Sequence, residues 1–222
     1  MTEHTITPVP AAATTATSFP PKSIGSSPSE GQGLPTGGNI RKLWSAERDK
    51  LTAHLLRLDR ESRRLRFAHG VSDDFIRGYV DGITDFNSIV YTFVEGGEVR
   101  AAAELRKTGD AWGKAAECAF TVEADLQNHG LGSELMGRVI RAARNRGVEQ
   151  LHMCCLAENS RMQRIARRHQ AMLRYVDGEM HAEIVPSSPS ALSVMEEAID
   201  DQRGYVLTIL DLQSRMLPTA AA

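Results

Sequence analysis

The chain has 222 residues, 41% of them hydrophobic and 24% charged, with a net charge of −2. That is enough for one ordinary domain plus tails, and no field of one sign favours nucleic acid or a membrane surface. No apolar run approaches the roughly eighteen residues that cross a bilayer, and three cysteines fit reduced, packed thiols in a cytoplasm better than a disulfide framework.

Residues 1–38 are rich in Thr, Ala, Pro, Ser and Gly and have no apolar period, so they read as a disordered tail. They lack the basic start and apolar core of a secretory signal, and the first arginine is Arg41. A short strand is expected near Ile40–Trp44. Ser45 should then cap a helix carrying Leu51, Leu55, Leu56 and Leu58. The stretch DRESRRLRF continues helical character, with Arg60, Arg63, Arg64 and Arg66 read as a solvated face rather than a basic binding surface. Ser72, followed by Asp73 and Asp74, opens another helix, with acids at its positive end. Strands follow over Ser88–Val94, Val99–Leu105 and Lys114–Val122. The turns at Gly96-Gly97 and through Gly109 and Gly113 make them antiparallel hairpins.

The stretch from Cys118 to Gly147 organises the rest. It starts as a strand with Phe120 and Val122 on one face, and passes into Gln127-Asn128-His129-Gly130-Leu131-Gly132-Ser133. Leu131, Leu135, Met136, Val139, Ile140 and Ala143 then recur at helical spacing, and Gly147 stands where a C-cap belongs. The first turn of such a helix presents unpaired amides and the positive end of the macrodipole. Gly130 and Gly132 have no side chain to keep a phosphate off those amides, so the natural guest is a pyrophosphate. A dinucleotide loop would want Gly-x-Gly-x-x-Gly, and its third position here is Leu135.

A strand over Gln150–Leu156, a helix over Asn159–Gln170 and a final hairpin of MLRYV and MHAEIV complete the core. Cys154 and Cys155 are adjacent and point to opposite strand faces, so neither shows metal-ligand spacing. Beyond Pro186-Ser-Ser-Pro189, residues Ser190–Leu217 form one long amphipathic pattern through Leu192, Met195, Ile199, Val206, Leu210 and Leu217. Gly204 weakens it by roughly 1 kcal/mol relative to alanine. Such a stripe is too apolar to leave in water, which points to an interface, with a homodimer favoured over packing on its own domain.

Gln127-x-x-Gly130-x-Gly132, set between AFTV and an amphipathic helix, resembles the (Arg/Gln)-x-x-Gly-x-(Gly/Ala) pyrophosphate loop of the GNAT superfamily of acetyl-CoA-dependent N-acetyltransferases. The resemblance runs from about Asn39 to Val185 and is strongest over Ala116–Asn159. The wording around ESRRLRF is similar to the catalytic domains of bacterial protein-lysine acetyltransferases. It implies an α/β (α+β) GNAT fold, a mostly antiparallel central sheet flanked by helices. That domain would span 39–185, between the tail 1–38 and an added C-terminal helical extension, 186–222.

The implied cosubstrate is acetyl-CoA, held by Phe120, Val122, Gln127, Asn128, His129, Gly130, Leu131, Gly132, Ser133 and Asn159, with no metal. In the family the strand ending at Val122 splays from the next, and its free amides pair with the pantetheine arm and the thioester carbonyl. The implied reaction moves an acetyl group to a primary amine, on a small molecule or a protein lysine, by direct attack in a ternary complex. A lysine-like amine has a pKa near 10.4, so a base must take its proton. Glu117 aligns with the family's strand glutamate, and Glu104 is the second choice. Burial of Glu117 beside Ala116, Ala119 and Phe120 is expected to raise its pKa. The family's tyrosine, seven residues after Asn159, is Ala166 here, and its Gly-Phe is Gln170-Ala171. That leaves Tyr175, His169 or water to protonate the thiolate. The departure keeps open a second reading, a GNAT-fold module that binds acyl-CoA as a regulator without turnover.

Overall fold

The computed structural model describes residues 34–83 and 86–216, and within 211–216 only the Gln213 side chain. The predicted tail lies outside the described residues up to position 33. Elements follow in the order β1 (Gly38–Lys42), α1 (Arg48–Arg57), α2 (Arg60–Phe67), α3 (Asp73–Asp81), β2 (Ser88–Glu95), β3 (Glu98–Lys107), β4 (Ala115–Val122), α4 (Leu131–Asn145), β5 (Gln150–Leu156), α5 (Ser160–Arg168), β6 (Met172–Val176), β7 (Glu179–Ile184) and α6 (Ala191–Met216).

The seven strands form one sheet in the order β1-β2-β3-β4-β5-β7-β6, with every pairing antiparallel except β4 with β5. The parallel pair is the one joined through a helix, α4, because parallel neighbours need a crossover. Gly96 and Gly97 both take positive φ (57° and 79°), which lets β2 turn directly into β3. Asp177 and Gly178 (49° and 90°) turn β6 into β7 in the same way.

Both sheet faces are covered. On one face Leu131, Leu135, Met136 and Val139 of α4 pack on Tyr91, Phe93, Ala101, Ala103 and Leu105. On the other, Leu51 and Leu55 of α1 and Ile76 and Val80 of α3 pack on Val90, Val94, Val99 and Ala102. The alanine run of β3 keeps both helical layers close to the sheet.

Three local expectations change. Ser45 does not cap α1: Ser45–Glu47 forms a single 3-10 turn and the helix begins at Arg48 behind Glu47, with no side-chain cap. Leu58 lies beyond the end of α1, because Asp59 accepts from the amide of Ser62 at 2.8 Å and starts a separate helix. Arg60 is exposed as expected, but the other three arginines of that helix are braces rather than a solvated face. Arg63 donates to the carbonyls of Leu56 and Leu58 and pairs with Asp73. Arg64 pairs with Glu61 and Glu158, and Arg66 reaches Glu104 and Tyr79. Ser72 does cap α3, accepting from the amide of Phe75 at 3.1 Å.

α6 packs on β1 and α4 by an unexpected face. Among its described side chains the buried residues are Ser193, Glu197, Gly204 and Thr208, whereas Leu192, Met195, Ile199, Val206 and Leu210 are exposed. The anchoring is ionic. Glu197 meets Lys42 (2.7 Å), Arg146 (3.0 Å) and Asn145 (2.7 Å), and Asp200 meets Arg138 and Arg141. Gly204, weak as a helix former, is where α6 comes closest to β1: a Cβ there would lie 2.7 Å from Cβ of Arg41.

Candidate active site

β4 and β5 pair only at Ala115–Gln150, Ala116–Leu151 and Glu117–His152. Both strands continue, to Val122 and Leu156, with no further ladder between them. Past Glu117 the edge of β4 facing β5 therefore has no strand partner, and a gap opens toward the glycine loop. Phe120 and Val122 turn their side chains into the α4 core, so only their backbone can face this gap.

The loop is held from both ends. Gln127 donates through Nε2 to the carbonyl of Val122 at 2.9 Å and accepts from Arg161 at Oε1. Asn128 and Gly130 take positive φ, 68° and 80°. The carbonyl of Gly130 accepts from Ser133 (3.0 Å) and Glu134 (3.1 Å), starting α4 without any side-chain cap. The amides of Leu131 and Gly132, at the start of the first turn, therefore point out of the helix with no cap to satisfy them. Beside them His129 Nδ1 is buried without a hydrogen-bond partner. An uncapped helix start next to an orphaned buried nitrogen fits a phosphate-bearing ligand.

Other predicted cofactor residues have their side chains committed within the protein. Leu131 is buried in the core. Ser133 Oγ lies 3.0 Å from His169 Nε2, linking α4 to the end of α5. Asn159 accepts from the amide of Met162 at 3.1 Å and caps α5. Gly132 must be small chiefly for helix packing, since a Cβ would approach Ile165 Cδ1 to 2.9 Å. It is Gly130 that has open space above it, with nothing nearer than Leu34 at 4.0 Å.

The opposite face of the sheet forms a cleft of about 730 Å³ beneath the end of α2 and beside α3. Strand register sets its floor: Arg106, Glu117, His152 and Glu183 stand in one row across β3, β4, β5 and β7. Glu117 is exposed there. The expected burial is absent because Ala116 and Phe120 point to the other face, into the α4 core. Glu104 is the buried one, with its carboxylate engaged by Tyr79, Ser88 (3.2 Å), Arg106 (3.0 Å) and Arg66 (3.4 Å). It braces the cleft wall and has no lone pair to spare as a base. Burial is the main reason the Tyr79 phenol is pushed up to about 12.

Neither side chain suggested as general acid lines the cleft. His169 is bound to Ser133, Tyr175 is exposed on β6, and Ala166 is fully buried. The cysteines also separate: Cys118 and Cys155 are buried as expected, whereas Cys154 is exposed on the cleft floor. Partial burial and the neighbouring Glu179 push its thiol up to about 12, so it is no thiolate nucleophile at neutral pH.

One support of the loop gave no local signal. His54 of α1, fully buried, places Nε2 2.8 Å from Thr121 Oγ1 and Nδ1 3.0 Å from Glu123 Oε1. Burial lowers its pKa and keeps it neutral. Burial alone would raise Glu123, but hydrogen bonds from His54 and Arg100 outweigh it and hold the carboxyl at about 2. The end of β4 is thereby fixed just before the loop.

A parallel strand pair that parts above an uncapped glycine-loop helix, with a cleft behind the junction, is the architecture of an acyl-CoA-dependent transferase. The chain belongs to the acetyltransferase (GNAT) family, which it matches over residues 52–171. It is accordingly an acyltransferase, with acetyl-CoA as cosubstrate. Among solved structures it is similar to the GNAT domain of Streptomyces lividans PAT, at 21% identity and a TM-score of 0.59, covering 67% of this chain and 90% of that one. The Salmonella typhimurium protein YncA, solved with its cofactor acetyl-CoA, matches at 16% identity and a TM-score of 0.54 over 70% and 98%. A point mutant of a cAMP-binding acyltransferase from Mycobacterium smegmatis matches at 24% identity and a TM-score of 0.51, over 78% of this chain but only 53% of that one. No curated protein sequence matches the chain. Among the described residues no helix is long and apolar enough to cross a membrane.

Proposed function

We propose that the protein is an N-acetyltransferase that moves the acetyl group of acetyl-CoA to a primary amine, on a small molecule or a protein lysine, by direct attack in a ternary complex. The observation that carries this is the position of Glu117. It is the last β4 residue paired to β5, so one carboxylate stands where the cofactor gap meets the acceptor cleft.

Glu117 takes a proton from the incoming ammonium, directly or through a water, and the freed amine attacks the thioester carbonyl. The unpaired edge of β4 beyond Glu117 supplies amides to the carbonyl oxygen as it gains charge. Solvent protonates the departing thiolate, because the position of the family tyrosine is Ala166. The backbone of 128–133 receives the pyrophosphate, and the side-chain Nδ2 of Asn159, whose Oδ1 caps α5, is left for the cofactor arm. The transferase domain is assigned to 39–185, between a tail (1–38) and an extension (186–222), acting in the cytoplasm.

The test is CoA release from acetyl-CoA across a panel of amines and proteins. Glu117→Gln should lower the rate about a hundred- to ten-thousand-fold with little change in KM for acetyl-CoA. The defect should shrink at high pH, where more amine arrives neutral. Equal rates at neutral pH would remove Glu117 from the mechanism. If nothing in the panel releases CoA while acetyl-CoA still raises the melting temperature, the regulatory acyl-CoA-binding module becomes the better reading.

We also propose that α6 pairs two copies of the chain. Its exposed Leu192, Met195, Ile199, Val206 and Ile209 follow the three-four spacing of a coiled-coil seam, with Gln202 in the one polar position. The opposite face is already docked through Glu197 and Gly204, so a matching helix is the partner that the spacing fits.

A further inference from the structure

We propose that Cys154, Glu179 and His181 form a site for a zinc-class divalent cation at the rim of the acceptor cleft. Cys154 lies on β5, His181 faces it directly across the β5–β7 ladder, and Glu179 stands two residues away on the same face of β7. Their donor atoms converge: Sγ to Oε2 is 3.1 Å, Sγ to Nε2 is 3.3 Å, and Nε2 to Oε2 is 3.8 Å.

Those separations bracket the edges of one face of a tetrahedron around zinc, so shifts of a few tenths of an ångström would close it. Zinc bonds of about 2.3 Å to sulfur and about 2.0–2.2 Å to nitrogen and oxygen put the ligands roughly 3.4–3.6 Å apart. One thiolate, one imidazole and one carboxylate suit a borderline-soft cation and not magnesium or calcium, which want oxygen donors alone. Three protein ligands leave a fourth position, and since all three residues line the cleft, that position opens into it.

The geometry is already assembled without an ion, because the thiol sits within hydrogen-bonding reach of both partners. A cation would take the place of the thiol proton now directed at Glu179. No spacing along the chain announces this site. The two strands meet only through the register of β5 with β7. If the cleft admits the acceptor amine, as the reading above holds, an occupied site competes with the acceptor for the same space.

The test reads metal binding in the full-length protein without acetyl-CoA, so its outcome is independent of the transferase reading. Cobalt(II), a spectroscopic stand-in for zinc, should give a saturable one-to-one thiolate charge-transfer band that zinc displaces. Cys154→Ser should abolish the band. His181→Ala should weaken zinc binding by more than the roughly 10–100-fold that loss of an outer-shell partner costs. Cys155→Ser, altering the buried thiol on the other face, should leave the band in place. Of the three cysteines only Cys154 is exposed, so saturating zinc should also protect one thiol from a disulfide reagent. Absence of a charge-transfer band, a band that survives Cys154→Ser, or unprotected Cys154 would each overturn the assignment.

Discussion

Replacing Glu197 by glutamine tests whether α6 is held by charge. Its side chain is 9% exposed and lies 2.7 Å from Lys42 Nζ and 3.0 Å from Arg146 Nη1. Burial by itself would raise this carboxyl, but the hydrogen bonds from Lys42 and Asn145 and the charge of Arg146 outweigh it and hold the group at about 2, against an ordinary 4.5. That depression is worth about 3 kcal/mol, at ~1.36 kcal/mol for each tenfold change in proton affinity. Lys42 and Asp201 are partly in water, and screening reduces the figure to about 2 kcal/mol. The folded value lies below the unfolded one, so this stability is complete above pH 4.5 and is lost as pH falls toward 2. Urea unfolding should show Glu197→Gln about 2 kcal/mol less stable than wild type at pH 7. The gap should hold down to about pH 5 and shrink to less than half by pH 3. A gap that does not change with pH would mean that Glu197 acts through shape or hydrogen bonding alone. No gap at pH 7 would mean that α6 does not depend on this network.

Two further predictions concern the loop and the helix. Gly130 takes φ 80° with open space above it, so Gly130→Ala should cost about 1–2 kcal/mol by backbone strain alone. It should also diminish the roughly 2.7 kcal/mol stabilisation expected from acetyl-CoA at a hundred times its Kd. A thermal melt in which both quantities match wild type would separate the loop from cofactor binding. Truncation after Pro186 should lower the mass measured by sedimentation by more than half, from a full-length dimer to a shortened monomer, and a monomer mass before and after removal would eliminate the α6 dimer.

Local chemistry made much of this protein legible from its sequence. The Gly96-Gly97 turn, the Ser72 cap and the 3.6-residue period of α4 each involve residues a few positions apart, and each appears at the expected positions. Strand alternation likewise separates Phe120 and Val122 from Thr121. Local competition was harder to read: Asp59, by capping the amide of Ser62, divides a helical stretch whose composition looks continuous.

Tertiary structure alone decided which strands lie together and which faces they share. Glu117 looked half-buried among apolar neighbours in sequence, yet Ala116 and Phe120 turn to the α4 side and leave the carboxylate in the cleft beside Ala119. Arg106, His152 and Glu183 join it only through the register of four strands. The same is true of Cys154 with Glu179 and His181, 25 and 27 residues apart. α6 states the contrast most plainly. Its apolar stripe is visible in sequence, but the side that docks was set by cations on β1 and α4, which hold Glu197 and Asp200 across more than fifty residues of chain. A hydrophobic period is a property of one segment, whereas ionic and register partners are properties of two, brought together only when the whole chain has closed its core.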